Sequence, residues 1–112
     1  MSAVYVSNLI INAGSTFNQT FDLANTQDSS PFNLTGYSVE AQLRKHASST
    51  KKTTFIASIN DALKGQILVG LASTQTVDLK PGRYVYDVVV TRGNIKTRVV
   101  EGSALVREGV TR

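Results

Sequence analysis

Apolar and polar residues alternate with a period of two along most of this chain, and no stretch sustains the 3.6-residue period of an amphipathic helix. The clearest alternation runs from Tyr37 to Lys45. Its apolar and polar positions form two separate rows, Tyr37, Val39, Ala41 and Leu43 against Ser38, Glu40, Gln42 and Arg44. This pattern is typical of an antiparallel strand with one buried and one solvated face.

The same pattern predicts seven strands, separated by segments rich in Gly, Pro, Asn and Ser. They span Val4 to Ile11, Thr16 to Leu23, Tyr37 to Lys45, Thr53 to Ile59, Gln66 to Leu71, Arg83 to Thr91 and Lys96 to Val106. Seven short strands at this spacing predict an all-β, immunoglobulin-like antiparallel β-sandwich. With no linker and no internal repeat, we expect a single domain over residues 1–112.

Three local features refine this prediction. In the first strand, Val4, Val6 and Ile10 fall on one face. The segment from Ala72 to Leu79 suits a single helical turn, with Ser73 as its cap. In the corner before the sixth strand, Tyr84 matches the tyrosine that many immunoglobulin-like domains place there, where the hydroxyl binds upstream backbone.

Composition excludes several classes of protein. The 112 residues include 41% hydrophobic and 18% charged residues, which is typical of a globular chain. There is no cysteine, so disulfides and thiolate metal sites are excluded. The start lacks the basic region of a signal peptide, and no apolar run approaches the ~20 residues of a membrane helix, so we expect no membrane association.

Charge is unevenly distributed along the chain. The net charge is 12 − 8 = +4, and the first basic residue is Arg44. Three acids precede it (Asp22, Asp28 and Glu40), whereas the remainder holds twelve bases and five acids, a balance of +7. Such asymmetry suits either an anionic partner or a solvated face.

Catalytic groups are scarce. His46 is the only histidine and lies in a Ser- and Lys-rich loop, the carboxylates are scattered singly, and no Gly-rich phosphate loop exists. We therefore expect no enzymatic activity, no cofactor and no metal site. Glu40 and Asp87 are better interpreted as cross-strand partners of Arg98 or Arg44.

Nucleic-acid binding is a weaker interpretation despite the basic charge. Proteins that bind single strands place stacking aromatic residues on their basic surface. Here the aromatic residues occupy the alternating positions that build a core: Phe17, Phe21, Tyr37, Phe55, Tyr84 and Tyr86.

Several apolar residues fall on strand faces that the alternation predicts to be exposed to solvent. If Tyr84, Tyr86, Val88 and Val90 are core, then Val85 and Val89 point outward on either side of Asp87. Leu68 and either Val99 or Val100 raise the same question. Because neighbouring exposed apolar residues indicate a protein partner or self-association, we predict an interface. Its residues are Val85, Asp87, Val89, Leu68 and Arg98.

Three segments carry a family resemblance: NLTGYSVEAQLRK (33–45), LKPGRYVYDVVV (79–90) and TRVVEG (97–102). In this order they resemble small immunoglobulin-like virion proteins of tailed bacteriophages. They are also similar in layout to the N-terminal domain of phage baseplate upper proteins. The resemblance covers about residues 3 to 106, and the chain ends without the fibre or receptor-binding part of the baseplate proteins.

The resemblance implies a non-enzymatic virion component, assembled in the host cytoplasm and docked in many copies on other virion proteins. A stand-alone sandwich suits a capsid decoration or cement protein bound to the major capsid protein. The alternative is a structural protein of the tail or baseplate. A second alternative is a module that recognises a host glycan or receptor, for which Phe32 is the one available loop aromatic.

Overall fold

Two β-sheets pack face to face around a shared hydrophobic core in the computed structural model, which describes residues 5–24 and 30–110. The strands are β1 Tyr5–Val6, β2 Leu9–Asn12, β3 Phe17–Asp22, β4 Ser38–Arg44, β5 Thr53–Thr54, β6 Ile56–Asp61, β7 Gln66–Leu71, β8 Gly82–Arg92 and β9 Ile95–Arg107. One helical turn, α1, spans Ser73–Thr76. The larger sheet has the order β1-β9-β8-β4-β5, with β2 also on β9, and the smaller has the order β3-β7-β6. The predicted immunoglobulin-like sandwich is confirmed.

The predicted fourth strand is corrected, because it belongs to two sheets. β5 pairs with β4 in the larger sheet, and β6 pairs with β7 in the smaller one. The chain crosses between them at Phe55, which is buried and donates its backbone N–H to the Ala41 carbonyl at 2.9 Å. The Phe55 ring has its centroid 6.2 Å from those of both Phe17 and Tyr86. Burial of this ring therefore fixes the crossover.

The first predicted strand forms two short pieces, β1 and β2, that pair with β9 in parallel rather than antiparallel. Their registers are continuous, from Tyr5 opposite Val100 to Leu9 opposite Ala104. The side chains of Leu9 and Ile11 enter the core, so the even-numbered positions point outward. Val6 and Ile10 do share a face, but it is the exposed one; Val4 lies outside the described residues.

A β-bulge corrects the expected exposure on β9. Val88 pairs with Val100 whereas Val89 pairs with Arg98, which leaves Val99 as an extra residue without a partner on β8. An extra residue shifts the alternation by one position. Both Val99 and Val100 are consequently buried, and neither lies on the solvent-exposed face of the larger sheet.

The parallel first strand depends on a close backbone approach at Gly102. A Cβ atom at this position would lie 2.0 Å from the Ser7 carbonyl oxygen. Tyr86, directly opposite Gly102 on β8, donates its hydroxyl hydrogen to that same oxygen at 2.6 Å. Burial raises the pKa of Tyr86, an effect that the hydrogen bond to Ser7 partly opposes, so the hydroxyl remains a donor at neutral pH.

The helical turn is anchored by Thr76, the buried polar side chain of α1. Its hydroxyl donates to the Ser15 carbonyl at 2.8 Å and accepts from the Gly14 N–H at 3.0 Å, which ties α1 to the turn between β2 and β3. The cap is Ala72 rather than the expected Ser73, because the Gln75 side chain accepts the Ala72 N–H at 2.9 Å.

The tyrosine at the corner behaves as its position predicts. Tyr84 is half-buried against the core, and its hydroxyl donates to the Lys80 carbonyl at 2.8 Å. This bond closes the turn through Pro81 and directs the chain into β8.

Gly102→Ala should destabilise the protein more than loss of the tyrosine hydroxyl does. The added methyl group must displace the Ser7 backbone, whereas Tyr86→Phe removes one hydrogen bond, at a cost of about 1 kcal/mol. Urea unfolding of both variants measures the difference. Equal stabilities of the Gly102→Ala variant and the wild type would contradict the close approach.

Thr76→Val should lower the free energy of unfolding by about 1–3 kcal/mol, because the isosteric valine removes two hydrogen bonds, one to the Ser15 carbonyl and one from the Gly14 N–H. Thr74→Val on the exposed side of α1 is the matched control and should change stability little. Similar losses in both variants would show that only local helix propensity matters.

Candidate functional site

The outer face of the larger sheet carries an exposed apolar patch. It is formed by four residues from β1, β2, β8 and β9, with exposed fractions of 76% for Val6, 57% for Ile10, 38% for Val85 and 40% for Leu105. Ile10 is directly opposite Leu105, and Leu105 is diagonal to Val85 because Val85 pairs with Ser103. The strand register therefore brings Ile10, Leu105 and Val85 together, whereas Val6 lies opposite Glu101.

A charged cluster lies beside the apolar patch on the same face. Asp87 and Glu101 are directly opposite each other on β8 and β9, and Arg98 approaches both. Its Nε atom lies 3.2 Å from Asp87 Oδ2, and one terminal nitrogen lies 3.8 Å from Glu101 Oε1. The predicted Asp87–Arg98 pairing is confirmed.

An open groove of about 650 Å³ lies along the charged cluster, and Val85 of the apolar patch also lines it. Its walls include Arg44 and Gln42 from β4, and the Arg44 guanidinium is held by the Gln42 side chain at 3.0 Å and by the Ser49 carbonyl. Arg44 is thus bound to its own loop rather than to Glu40 or Asp87. The groove offers amide, guanidinium and carboxylate groups with an apolar border.

The structure divides the predicted interface between two surfaces. Val85, Asp87, Val89 and Arg98 all lie on the outer face of the larger sheet, where Val89 is half-buried opposite Arg98. Leu68 lies on β7, in the smaller sheet, with its side chain on that sheet's outer face. The two groups are therefore on opposite sides of the sandwich.

Sequence reasoning missed four members of this site: Val6, Ile10, Leu105 and Glu101. Alternation along β9 could have identified Leu105 and Glu101 as outward-facing, but the bulge at Val99 interrupts this alternation. Val6 and Ile10 were assigned to one face, but the parallel partner that makes this face the outer one could not be read from local pattern.

Across residues 5–24 and 30–110, no three His, Cys, Asp or Glu side chains converge as metal ligands would. His46 lies in the exposed β4–β5 loop, where its backbone N–H donates to the Ser49 hydroxyl at 3.1 Å. Within the same described ranges, no helix has the length and apolar character needed to cross a membrane.

Two basic residues lie over aromatic rings of the same chain. Lys45 Nζ is 4.9 Å from the Tyr84 ring centroid, and the Arg92 guanidinium carbon is 5.8 Å from that of Tyr37. Both rings also pack against the core. These two rings are therefore partly covered by cations of the same chain.

Comparison with known proteins supports the fold. No family model matches the sequence, and no curated protein matches it. The structure is similar to part of Listeria monocytogenes InlP, with a TM-score of 0.50 and 16% identity, covering 90% of this chain and 26% of that one. A family 123 glycoside hydrolase from Clostridium perfringens gives a TM-score of 0.48 and 13% identity, with 98% and 24% covered. The chain spans about a quarter of each protein, and neither likeness carries information on function.

Asp87→Asn should change the free energy of unfolding by less than about 1 kcal/mol, because the side chains of Arg98 and Asp87 are 56% and 38% exposed and water screens the pair. Urea unfolding at low and at high salt checks this. A loss of several kcal/mol would instead make the charged cluster part of what stabilises the fold.

Proposed function

We propose that this chain is a non-enzymatic structural component of a tailed-phage virion, docked in many copies on a larger virion protein through the outer face of the larger sheet. The observation that carries the proposal is the exposed patch of Val6, Ile10, Val85 and Leu105 beside the charged cluster. The resemblance of residues 3 to 106 to small phage sandwich proteins supplies the class of partner.

Exposure of such an apolar patch to water is unfavourable. Burial of one valine or leucine side chain contributes about 1.5–3 kcal/mol, and several together can offset the entropy lost on association. The apolar patch would then supply affinity. Arg98, Asp87 and Glu101 would fix the orientation of the module, because charges at the border of an interface select the partner and its register.

Within the virion, we favour a capsid decoration or cement protein seated on the major capsid protein. A broad docking face that carries both apolar and charged side chains suits the repeated surface of a capsid shell. The alternative, a structural role in the tail or baseplate, uses the same face. Localisation of the protein on purified particles by electron microscopy distinguishes the two.

A host-recognition module is less well supported. Its candidate contact residue was Phe32, yet this ring is half-buried, packs against the core and lies 5.8 Å from the Tyr37 ring, centroid to centroid. A receptor or glycan would therefore have to be bound without the aromatic contact that the loop was expected to offer.

Val85→Glu combined with Leu105→Lys should leave the isolated protein folded but prevent its incorporation into particles. Both side chains are exposed, so the fold tolerates charge, whereas an interface would have to desolvate both new ions. Circular dichroism checks folding, and mass spectrometry of purified particles measures incorporation.

Leu63→Glu is the matched control, because Leu63 is 71% exposed in the turn between β6 and β7, away from the larger sheet. It should be incorporated normally. Normal incorporation of the double variant would refute docking through the outer face, and equal loss in both variants would point to a general effect of added charge.

A further inference from the structure

The open edge of β3 is a six-residue strand edge without Lys, Pro or a bulge. Natural sheets protect their edges with short strands, bulges, Lys or Pro. β5 has two residues, the ladder of β6 shifts register between Ile59 and Asp61, and the first strand is interrupted between β1 and β2. β3 instead pairs continuously with β7 over six residues, without Lys or Pro.

The backbone direction of β3 follows from its ladder. Leu23, which continues the strand, donates its N–H to the Gly65 carbonyl, so odd-numbered residues direct their polar groups towards β7. The backbone groups of Asn18, Thr20 and Asp22 therefore point to the open edge. The Gln19 side chain donates to the Thr20 carbonyl at 3.1 Å, as expected for a carbonyl with no strand beside it.

The chemistry of this edge suits an uncharged neighbour. On the outer face of the smaller sheet, Asn18, Thr20, Ser58, Leu68, Gly70 and Ile56 carry no charge. Asp22, at the end of β3, accepts a hydrogen bond from the Gln66 side chain at 3.0 Å and so is turned towards β7. On the inner side, Phe17 and Gln19 point inward but stay half-buried.

We propose that β3 pairs antiparallel with β3 of a second copy of this chain, about a twofold axis at Gln19. This register places Asn18 opposite Thr20 of the second copy and Phe17 opposite its Phe21. It also sets the two Gln19 amides against each other, where each can donate and accept. No like charges face each other, and aromatic pairs stabilise neighbouring strands.

The self-complementarity of β3 selects a second copy as the occupant. A twofold interface must match a patch with itself, and this six-residue strand does so in one register. A shift of the axis to Thr20 would set the Gln19 amide against the ring of Phe21. The paired sheets would run β6-β7-β3-β3-β7-β6, on the side of the sandwich away from the docking face, so the inference does not depend on the proposed function.

Single cysteines test the register cleanly, because the chain has none of its own. In the proposed dimer, Gln19→Cys forms a pair that is not hydrogen-bonded, with Cα atoms about 4.5 Å apart, within the range for a disulfide. Thr20→Cys would face Asn18 and lie too far from its own counterpart. We expect Gln19→Cys to give a disulfide-linked dimer on mild oxidation, and neither Thr20→Cys nor Ser58→Cys on β6 to do so.

Sedimentation of the unmodified chain supplies an independent measurement. We expect a concentration-dependent dimer that Thr20→Lys weakens by about tenfold or more, since a lysine on an edge strand opposes pairing, whereas Thr20→Val keeps it. A monomer at every concentration, without cross-linking of Gln19→Cys, would overturn the proposal. Equal cross-linking of all three cysteine variants, or linkage of Thr20→Cys alone, would overturn the register.

Discussion

The Ser7 carbonyl occupies the space that a side chain at residue 102 would need, and this close approach is the constraint on which the rest of the structure depends. Glycine at that position lets the first strand join β9, and the Tyr86 hydroxyl holds it there. An aromatic residue opposite a glycine in a neighbouring strand also covers the exposed backbone that the glycine leaves. Two consequences follow, one on each side of the sandwich.

On the larger sheet, the added strand extends the outer face and contributes half of the apolar patch, through Val6 and Ile10. On the smaller sheet, β3 follows β2 in the chain but does not pair with it, and within the described residues β7 is the neighbour of β3. A strand can pair with only one of these sheets at a time. The exposed apolar patch and the open edge of β3 therefore both accompany the pairing of the first strand with β9.

Much of the fold could be predicted from the sequence, because β-alternation is a local property. Strand β7 has the predicted bounds, and the Tyr84 corner and the Asp87–Arg98 pair formed as expected. The features that the sequence did not predict depend on contacts between strands that are far apart in the chain. The bulge at Val99 and the crossover at Phe55 depend on which strand lies alongside, and alternation within one strand carries no information about its neighbour. For the same reason Leu68 was grouped with Val85, although the sandwich separates them.

The outer faces of the two sheets differ in the charged groups that they carry. Both ion pairs found within residues 5–24 and 30–110 are made by Arg98, on the outer face of the larger sheet. The outer face of the smaller sheet presents amides, hydroxyls and aliphatic groups, and the exposed Asp22 carboxylate on it accepts a hydrogen bond from the Gln66 side chain. A face with charges at defined positions can discriminate between foreign partners, because a wrong partner leaves an ion unpaired. An uncharged edge discriminates poorly between foreign strands, but it lets identical chains approach without electrostatic cost. The charged face is thus suited to a specific partner, and the uncharged edge to a copy of the same chain.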